Sequence, residues 1–246
     1  MSSLFLRSDL AAVPHAVGDQ VALAGPEARH AVTVNRLRAG EVISIGDGAG
    51  LVVRGPIVTV EPAALEIRVD VSTLDAAPVP EVWLAQALAK GDRDELAVQA
   101  ATELGASGVI PWAAERSVSK WTGAKVTKGM ERWGAIVREA AKQSIRSWVP
   151  SVEQHMNTKQ LARLAEDATV LVLDPTAETR LSHVEIPADA RILILVVGPE
   201  GGIAPHELDL FESRGAVRVR LGDEILRTST AGPSALSVLN VRLNRW

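Results

Sequence analysis

The chain has 246 residues, a net charge of -4 and 47% hydrophobic residues, enough to bury a core in one large domain or a small one plus a medium one. It contains no cysteine, which excludes disulfides, thiolate metal sites and a cysteine nucleophile. No run of about 18 apolar residues occurs, so no membrane helix is expected, and the opening MSSLFLRSDL lacks the apolar core of a secretory leader. A cytoplasmic protein is the expectation.

The first 74 residues read as small-barrel material. Strand-like runs SLFLR, QVAL, EVISIGDG, LVVRGPIVTVE and ALEIRVDVS are separated by Gly, Pro and Asp turns. One helical segment, PEARHAVTVNRL, interrupts them, with Pro26 placed to open it. The alternation is loose: Ile43 and Ile45 share a face, yet Glu41 and Val42 break the pattern. The linker LDAAPVPE follows, and the domain boundary is set there, between 74 and 75.

From Val82 strands and helices alternate. VWLAQAL reads as a strand. DRDELAVQAATELG reads as a helix burying Leu96, Ala100 and Leu104, stopped by Gly105. GVIPW is the next strand. A long helix is predicted from Lys125 to Ser147, with Trp133, Ile136, Val137, Ala140, Ser144 and Ile145 inward. TVLVLDP, RILILVV and AVRVRLG are further strands, and a last helix starts near Ser229. Its apolar face of Ala235, Leu236, Val238 and Leu239 suits a core or an interface. Continuous apolar strands between helices predict α/β architecture with a parallel sheet covered on both sides.

The familiar sites are missing. No Walker pattern occurs. GDGAGL has Leu51 where a dinucleotide fingerprint needs its third glycine. GPSAL is half a nucleophile elbow, with Leu236 in place of the second glycine. The five histidines, His15, His30, His155, His183 and His206, have no metal-ligand spacing. No metal is expected.

Three strand ends remain: LVLDPTAE, VVGPEGG and VRLGDEILRTSTAG. Ligands of open α/β sheets bind at such carboxyl ends. Glycines let main-chain groups approach a flat ligand, and Val197, Leu221, Ile225 and Leu226 could wall an adenine. Each loop taken singly also suits an ordinary turn. No lysine follows the glycines of VVGPEGG, and Glu200 would repel a phosphate while tolerating a cation. Glu200 could equally stabilise the following helix through its dipole. Between Arg116 and Arg146 eight basic residues meet two acidic ones, a local excess of +6 interleaved with Trp121 and Trp133. That run suits a solvated helix face or an anionic partner.

VVGPEGGIAPHEL with LGDEILRTSTA resembles the signature of the SPOUT methyltransferases. KGDRDELAVQAATELG, IPWAAERSV and RWGAIVREAAKQSIRSWVP resemble the 16S rRNA uracil-N3 methyltransferases, the RsmE family. HAVTVNRLRAGEVISIGDG resembles that family's PUA-like RNA-binding domain. The resemblance covers nearly the whole chain in order. It implies a PUA-like barrel over 1–74 and a SPOUT domain with a C-terminal trefoil knot over 75–246. It also implies a homodimer and methylation of uridine N3 in the 16S rRNA of the small ribosomal subunit.

The donor implied is S-adenosylmethionine, held by Leu173, by Val197, Gly198, Pro199, Glu200 and Gly201, and by Leu221, Gly222, Ile225, Leu226 and Thr228. Arg227 is the catalytic candidate, stabilising the uracil anion; a phosphate contact or an ion pair with Glu224 is its competing role. The RNA-binding candidates are Arg7, His30, Arg36 and Arg38, then Lys90 and Arg116, then Lys142, Gln143 and Arg146. Each alone also reads as a surface charge, and His30 as a core residue. Where the family's last motif reads LRTETA, this chain has Ser229 in place of the glutamate, which is read as a helix cap. A binding protein without catalysis, or a methyltransferase acting elsewhere on RNA, are the alternatives.

Overall fold

Residues 3–246 are described by the computed structural model, and they divide into two units. The first holds the described residues up to Ala77 together with Ala141–Val149; the second holds Pro78–Ala140 and Pro150–Trp246. The leader reading rests partly on residues 1 and 2, outside the described residues.

In the first unit, β1 (Leu4–Leu6), β2 (Gln20–Ala24), α1 (Gly25–Arg29), β3 (Val42–Gly46), β4 (Leu51–Glu61), β5 (Ala64–Arg68) and β6 (Val71–Leu74) follow the expected order. The sheet runs β1-β3-β4-β5-β2, with β6 on β4. Val21 and Leu23 of β2 face inward opposite Ile67 and Leu65 of β5, the period-2 pattern of a half-buried strand. In β3, by contrast, both Ile43 and Ser44 are buried. Its neighbours β1 and β4 flank it, which is why its alternation is loose.

Two expectations change here. ALEIRVDVS forms two strands, because Val69 and Asp70 turn the chain: Val69 N–H bonds Asp19 O and Asp70 N–H bonds Arg54 O. The helix opened by Pro26 lasts five residues, then widens into a π-helical stretch, His30–Val34, closed by Asn35 N–H on His30 O. Residues 141–149 join this unit through Gly50 N–H to Ser147 O and Val149 N–H to Gly48 O. The Trp148 indole also donates to Asp75 O.

The second unit is built on β7 (Glu81–Ala87), α2 (Arg93–Glu103), β8 (Gly108–Ala113), α3 (Ala124–Gln143), β9 (Ser151–Val152), β10 (Met156–Asn157), α4 (Thr158–Arg163), β11 (Thr169–Leu173), β12 (Ile192–Val197), α5 (Pro205–Ser213), β13 (Val217–Val219) and α6 (Thr228–Arg242). The sheet order is β10-β8-β7-β12-β11-β13, with β9 also on β8, and every pairing is parallel. Its strands are apolar on both faces, as burial on both sides requires. Ala85, Ala87, Ile110, Trp112, Val170, Val172, Ile194 and Val196 form one core with Leu161 of α4 and Phe211 of α5. There Trp112 meets Phe211 edge to face, centroids 5.7 Å apart. Leu84, Leu171, Leu193 and Leu195 alternate to the other face, where α2 and α6 pack on the sheet.

α2 buries Asp94, Ala97, Val98, Ala101 and Thr102. The face expected inward is wrong: Leu96 is 56% exposed. The α2–α6 contact is made by small residues, so the largest apolar side chain was a poor guide to the inner face. Gly105 does stop α2, at a φ of 96°. The long helix ends at Gln143, earlier than predicted. Ile145 takes a φ of 55°, Arg146 N–H closes the turn on Ala141 O, and Ile145 points outward. β9, β10 and α4 were not anticipated; Asn157 and Gln160 cap α4 reciprocally, each side chain bonding the other's N–H at 3.0 Å.

Candidate cofactor and RNA site

The three strand ends singled out in the sequence converge. β11, β12 and β13 are adjacent and parallel, so the loops after Leu173, Val197 and Val219 leave the same edge of the sheet. Together with the start of α6 they enclose a cavity of about 550 Å³, within the usual range for a small-molecule site. Ten of the eleven residues expected to hold the donor line it, from Leu173 through Val197–Glu200 to Leu221, Gly222, Ile225, Leu226 and Thr228. Arg227 lines it too. Gly201 does not: its carbonyl accepts from Arg116 Nη1 at 3.1 Å, which turns that peptide towards the β8–α3 loop.

The glycine loop is tightly made. A Cβ on Gly198 would lie 2.7 Å from Ile203 Cγ1, so only glycine lets the loop fold onto itself and present main chain to the cavity. Thr228 fastens the start of α6 to this loop. Its hydroxyl donates to Gly198 O at 2.8 Å and accepts from the buried Gln86 Nε2 at 2.8 Å. Ser229 lies in the first turn of α6 behind the N-cap residue Arg227, which makes no side-chain cap. The cap expected of Ser229 is therefore a correction; the fastening residue is its neighbour.

Glu200 accepts from Lys90 N–H at 3.1 Å and from Arg93 Nη1 at 3.2 Å, both through Oε1. Burial pushes its carboxyl up, but the bonds from its own and Lys90's N–H and the Arg93 guanidinium outweigh that, and it is held below the ordinary carboxylate range. The helix-dipole role does not apply. α5 starts at Pro205, and its first N–H groups are served by Glu207, which accepts from Ala204 N–H at 3.1 Å. Across the cavity Asp174 is gripped by Arg218 at 2.8 and 2.5 Å and by the N–H and hydroxyl of Thr176. Its charge serves the wall.

A cationic adenosyl donor fits these residues. Main-chain groups and apolar side chains line the space, and Glu200 Oε2 carries no hydrogen bond among the described residues. Arg227 is exposed and makes no ion pair among the described residues, so the pairing with Glu224 considered for it is absent. Arg93, Asp174, Arg220 and Glu224 also line the cavity and were not assigned to it from sequence. Asp174 lay inside the quoted LVLDPTAE, the one available signal.

The RNA candidates fall in both units. In the first, His30, Arg36, Arg38 and Gln143 are exposed, so His30 is not a core residue. Arg7 is engaged with Asp9 at 2.8 Å and with Ala22 O. Lys142 is buried with its Nζ 3.3 Å from Glu27, and Arg146 is half-buried. In the second, Lys90 and Arg116 are exposed. Among the described residues no cluster of three or more His, Cys, Asp or Glu could hold a metal, and no helix is long and apolar enough to cross a membrane.

Residues 76–240 match the family model of the RNA methyltransferase domain, and 23–70 that of the RNA methyltransferase PUA domain. The chain belongs to this RNA methyltransferase family. Among its relatives, the ribosomal RNA small subunit methyltransferase E of Mycobacterium tuberculosis is 44% identical over 90% of this chain and 86% of its own length. That of Bacillus subtilis is 34% identical over 89% and 88%. The Neisseria gonorrhoeae enzyme of the same name, solved with bound S-adenosylmethionine, superposes with a TM-score of 0.86 at 27% identity over 98% of both chains. A Legionella pneumophila methyltransferase with the same bound cofactor gives 0.84 at 27%, also over 98% of both chains. For this RNA methyltransferase, the reading as a binding module without catalysis falls away.

Proposed function

We propose that this RNA methyltransferase transfers the methyl group of S-adenosylmethionine to N3 of a uridine in the 16S rRNA of the small ribosomal subunit. The observation that carries the reading is the cavity at the ends of β11, β12 and β13, with Arg227 unpaired at its edge. Bound S-adenosylmethionine supplies an electrophilic methyl carbon. Glu200 faces the cation of that donor with its unbonded Oε2, and the glycine loop seats the adenosine against main chain. Uracil N3 loses its proton to water, the nitrogen pair forms the new N–C bond, and the S–C bond breaks. Arg227 stabilises the charge spread over the uracil oxygens as the proton leaves.

The chain also forms the trefoil knot in this reading. Support comes from the segment after β11 lying against the chain after β13: Leu181 N–H bonds Arg220 O at 2.8 Å and Arg220 N–H bonds Thr179 O at 2.9 Å. Arg242 of α6 donates to Leu181 O. The enzyme works as a homodimer in the cytoplasm, a second copy covering exposed apolar side chains such as Ile225 (81%), Val241 (60%) and Trp246 (64%).

The test offers labelled donor with unmodified small subunits and with naked 16S rRNA, and identifies the methylated nucleoside by mass spectrometry. 3-Methyluridine is expected. Arg227→Ala is expected to lower kcat by about 10²–10³ with donor affinity unchanged. A different methylated nucleoside, or an Arg227→Ala enzyme as fast as the parent, would refute the assignment.

A further inference from the structure

A second cavity, of about 560 Å³, lies in the same unit between the β7–α2 loop, the β8–α3 loop and the first half of α3. Lys90, Lys120, Lys125 and Lys128 stand around it, and Trp121 and Trp133 form part of its wall. All four lysines are exposed, and none is in an ion pair among the described residues. In a chain with a net charge of -4, four unneutralised ammonium groups around one concavity make a local positive field that an anion would relieve. The acids of the wall are otherwise engaged: Glu95 binds Arg132 at 2.8 Å, and Asp94 accepts from the N–H groups of Ala89 and Glu95.

The aromatic wall is fixed in place. Trp121 packs edge to face on Trp133, centroids 5.5 Å apart, and against the His155 ring at 5.7 Å. On the helix side it rests where a side chain is missing: a Cβ at Gly129 would lie 2.5 Å from the indole. The ring therefore offers a half-exposed, pre-positioned surface. Lysines for a phosphodiester beside an immobile indole for a base is the combination that holds single-stranded nucleic acid.

The cavity opens at the carboxyl ends of β7 and β8, the same sheet edge as the donor cavity. Lys90 belongs to its wall, while the Lys90 N–H is bonded to Glu200 of the glycine loop. We propose that this cavity binds one nucleotide of the rRNA substrate flanking the methylated one, its phosphate among Lys120, Lys125 and Lys128 and its base on Trp121. This rests on the rRNA-methylation reading above.

The experiment uses the full chain and the Lys120→Glu/Lys125→Glu/Lys128→Glu variant. It measures KM for unmodified small subunits, donor affinity by calorimetry, and binding of single-stranded oligouridylate by tryptophan fluorescence, assigned with Trp121→Phe. Expected for the variant are a KM at least about tenfold higher and donor affinity within about twofold. The log–log salt slope for oligouridylate should fall by roughly two, at about 0.7 per lost phosphate contact. Gly129→Ala, which leaves every charge in place but displaces Trp121, should weaken oligouridylate binding as well. An unchanged KM and salt slope overturn the proposal. So does uridine monophosphate competing as well as the oligomer, which would make this a site for free nucleotides. If the parent enzyme methylates no RNA, the activity reading fails, while the fluorescence arm still decides whether this cavity takes the strand.

Discussion

Asp174 keeps its charge in a largely buried place because Thr176 and Arg218 supply what water would have supplied. Burial pushes its carboxyl up, yet the Thr176 N–H and hydroxyl and the Arg218 guanidinium outweigh that, leaving it below the ordinary carboxylate range. A carboxyl lowered in the folded state contributes stability that is fully present above its unfolded value and is lost as pH falls through the folded one. Thermal scans across pH should therefore show stability falling below about pH 4. Asp174→Asn should flatten part of that fall and lower stability at neutral pH by about 1.5–3 kcal/mol. Equal pH profiles for parent and variant would show that the pair contributes nothing. Glu200 and Ser229 show what sequence could reveal at this scale. Glu200's place in a glycine loop was legible; its partners Lys90 and Arg93, more than 100 positions away, were not. Ser229 was read as a cap because a hydroxyl near a helix start usually is one, but the helix begins one residue earlier and Thr228 takes the bonding role.

Among the elements, α5 depends on one buried carboxylate. Glu207 accepts from Ala204 N–H at the helix start, from Glu115 N–H in the β8–α3 loop at 3.0 Å, and from Thr158 Oγ1 of α4 at 2.6 Å. Glu207→Ala leaves all three donors without their acceptor, so we expect a loss of about 3 kcal/mol in urea denaturation. Exchange of α5 amides should quicken first, since Leu208 and the donor cavity lie on that helix. A loss under about 0.5 kcal/mol would mean that water takes over the bonds. The parallel strands were legible because burial on both faces writes continuous apolar runs such as RILILVV. β9 and β10 are two residues each, too short to carry a period. The inner face of α2 was misread because Ala97, Val98 and Ala101 bury well against α6, while Leu96, larger and more apolar, faces out.

At the scale of the whole molecule, the donor cavity could be foreseen and the lysine–tryptophan cavity could not. The first is made of glycine loops at strand ends, each a local signal. The second gathers loop residues near 90 and 120 with one face of α3, and only the sheet order, which puts β7 beside β8, brings them together. The two-unit division was likewise only partly legible: a proline-rich linker marks a change of composition, but the return of Ala141–Val149 to the first unit leaves no such mark. The bond from Lys90 N–H to Glu200, with Arg93 beside it, has a thermodynamic consequence. One wall residue of each cavity is held by the same carboxylate, so occupancy of either shifts the other, and the factor must be identical in both directions. Donor affinity measured with and without oligouridylate, and oligouridylate affinity measured with and without donor, should change by the same ratio. Glu200→Gln should bring that ratio towards one; a ratio untouched by the substitution would mean that the two sites communicate by another route.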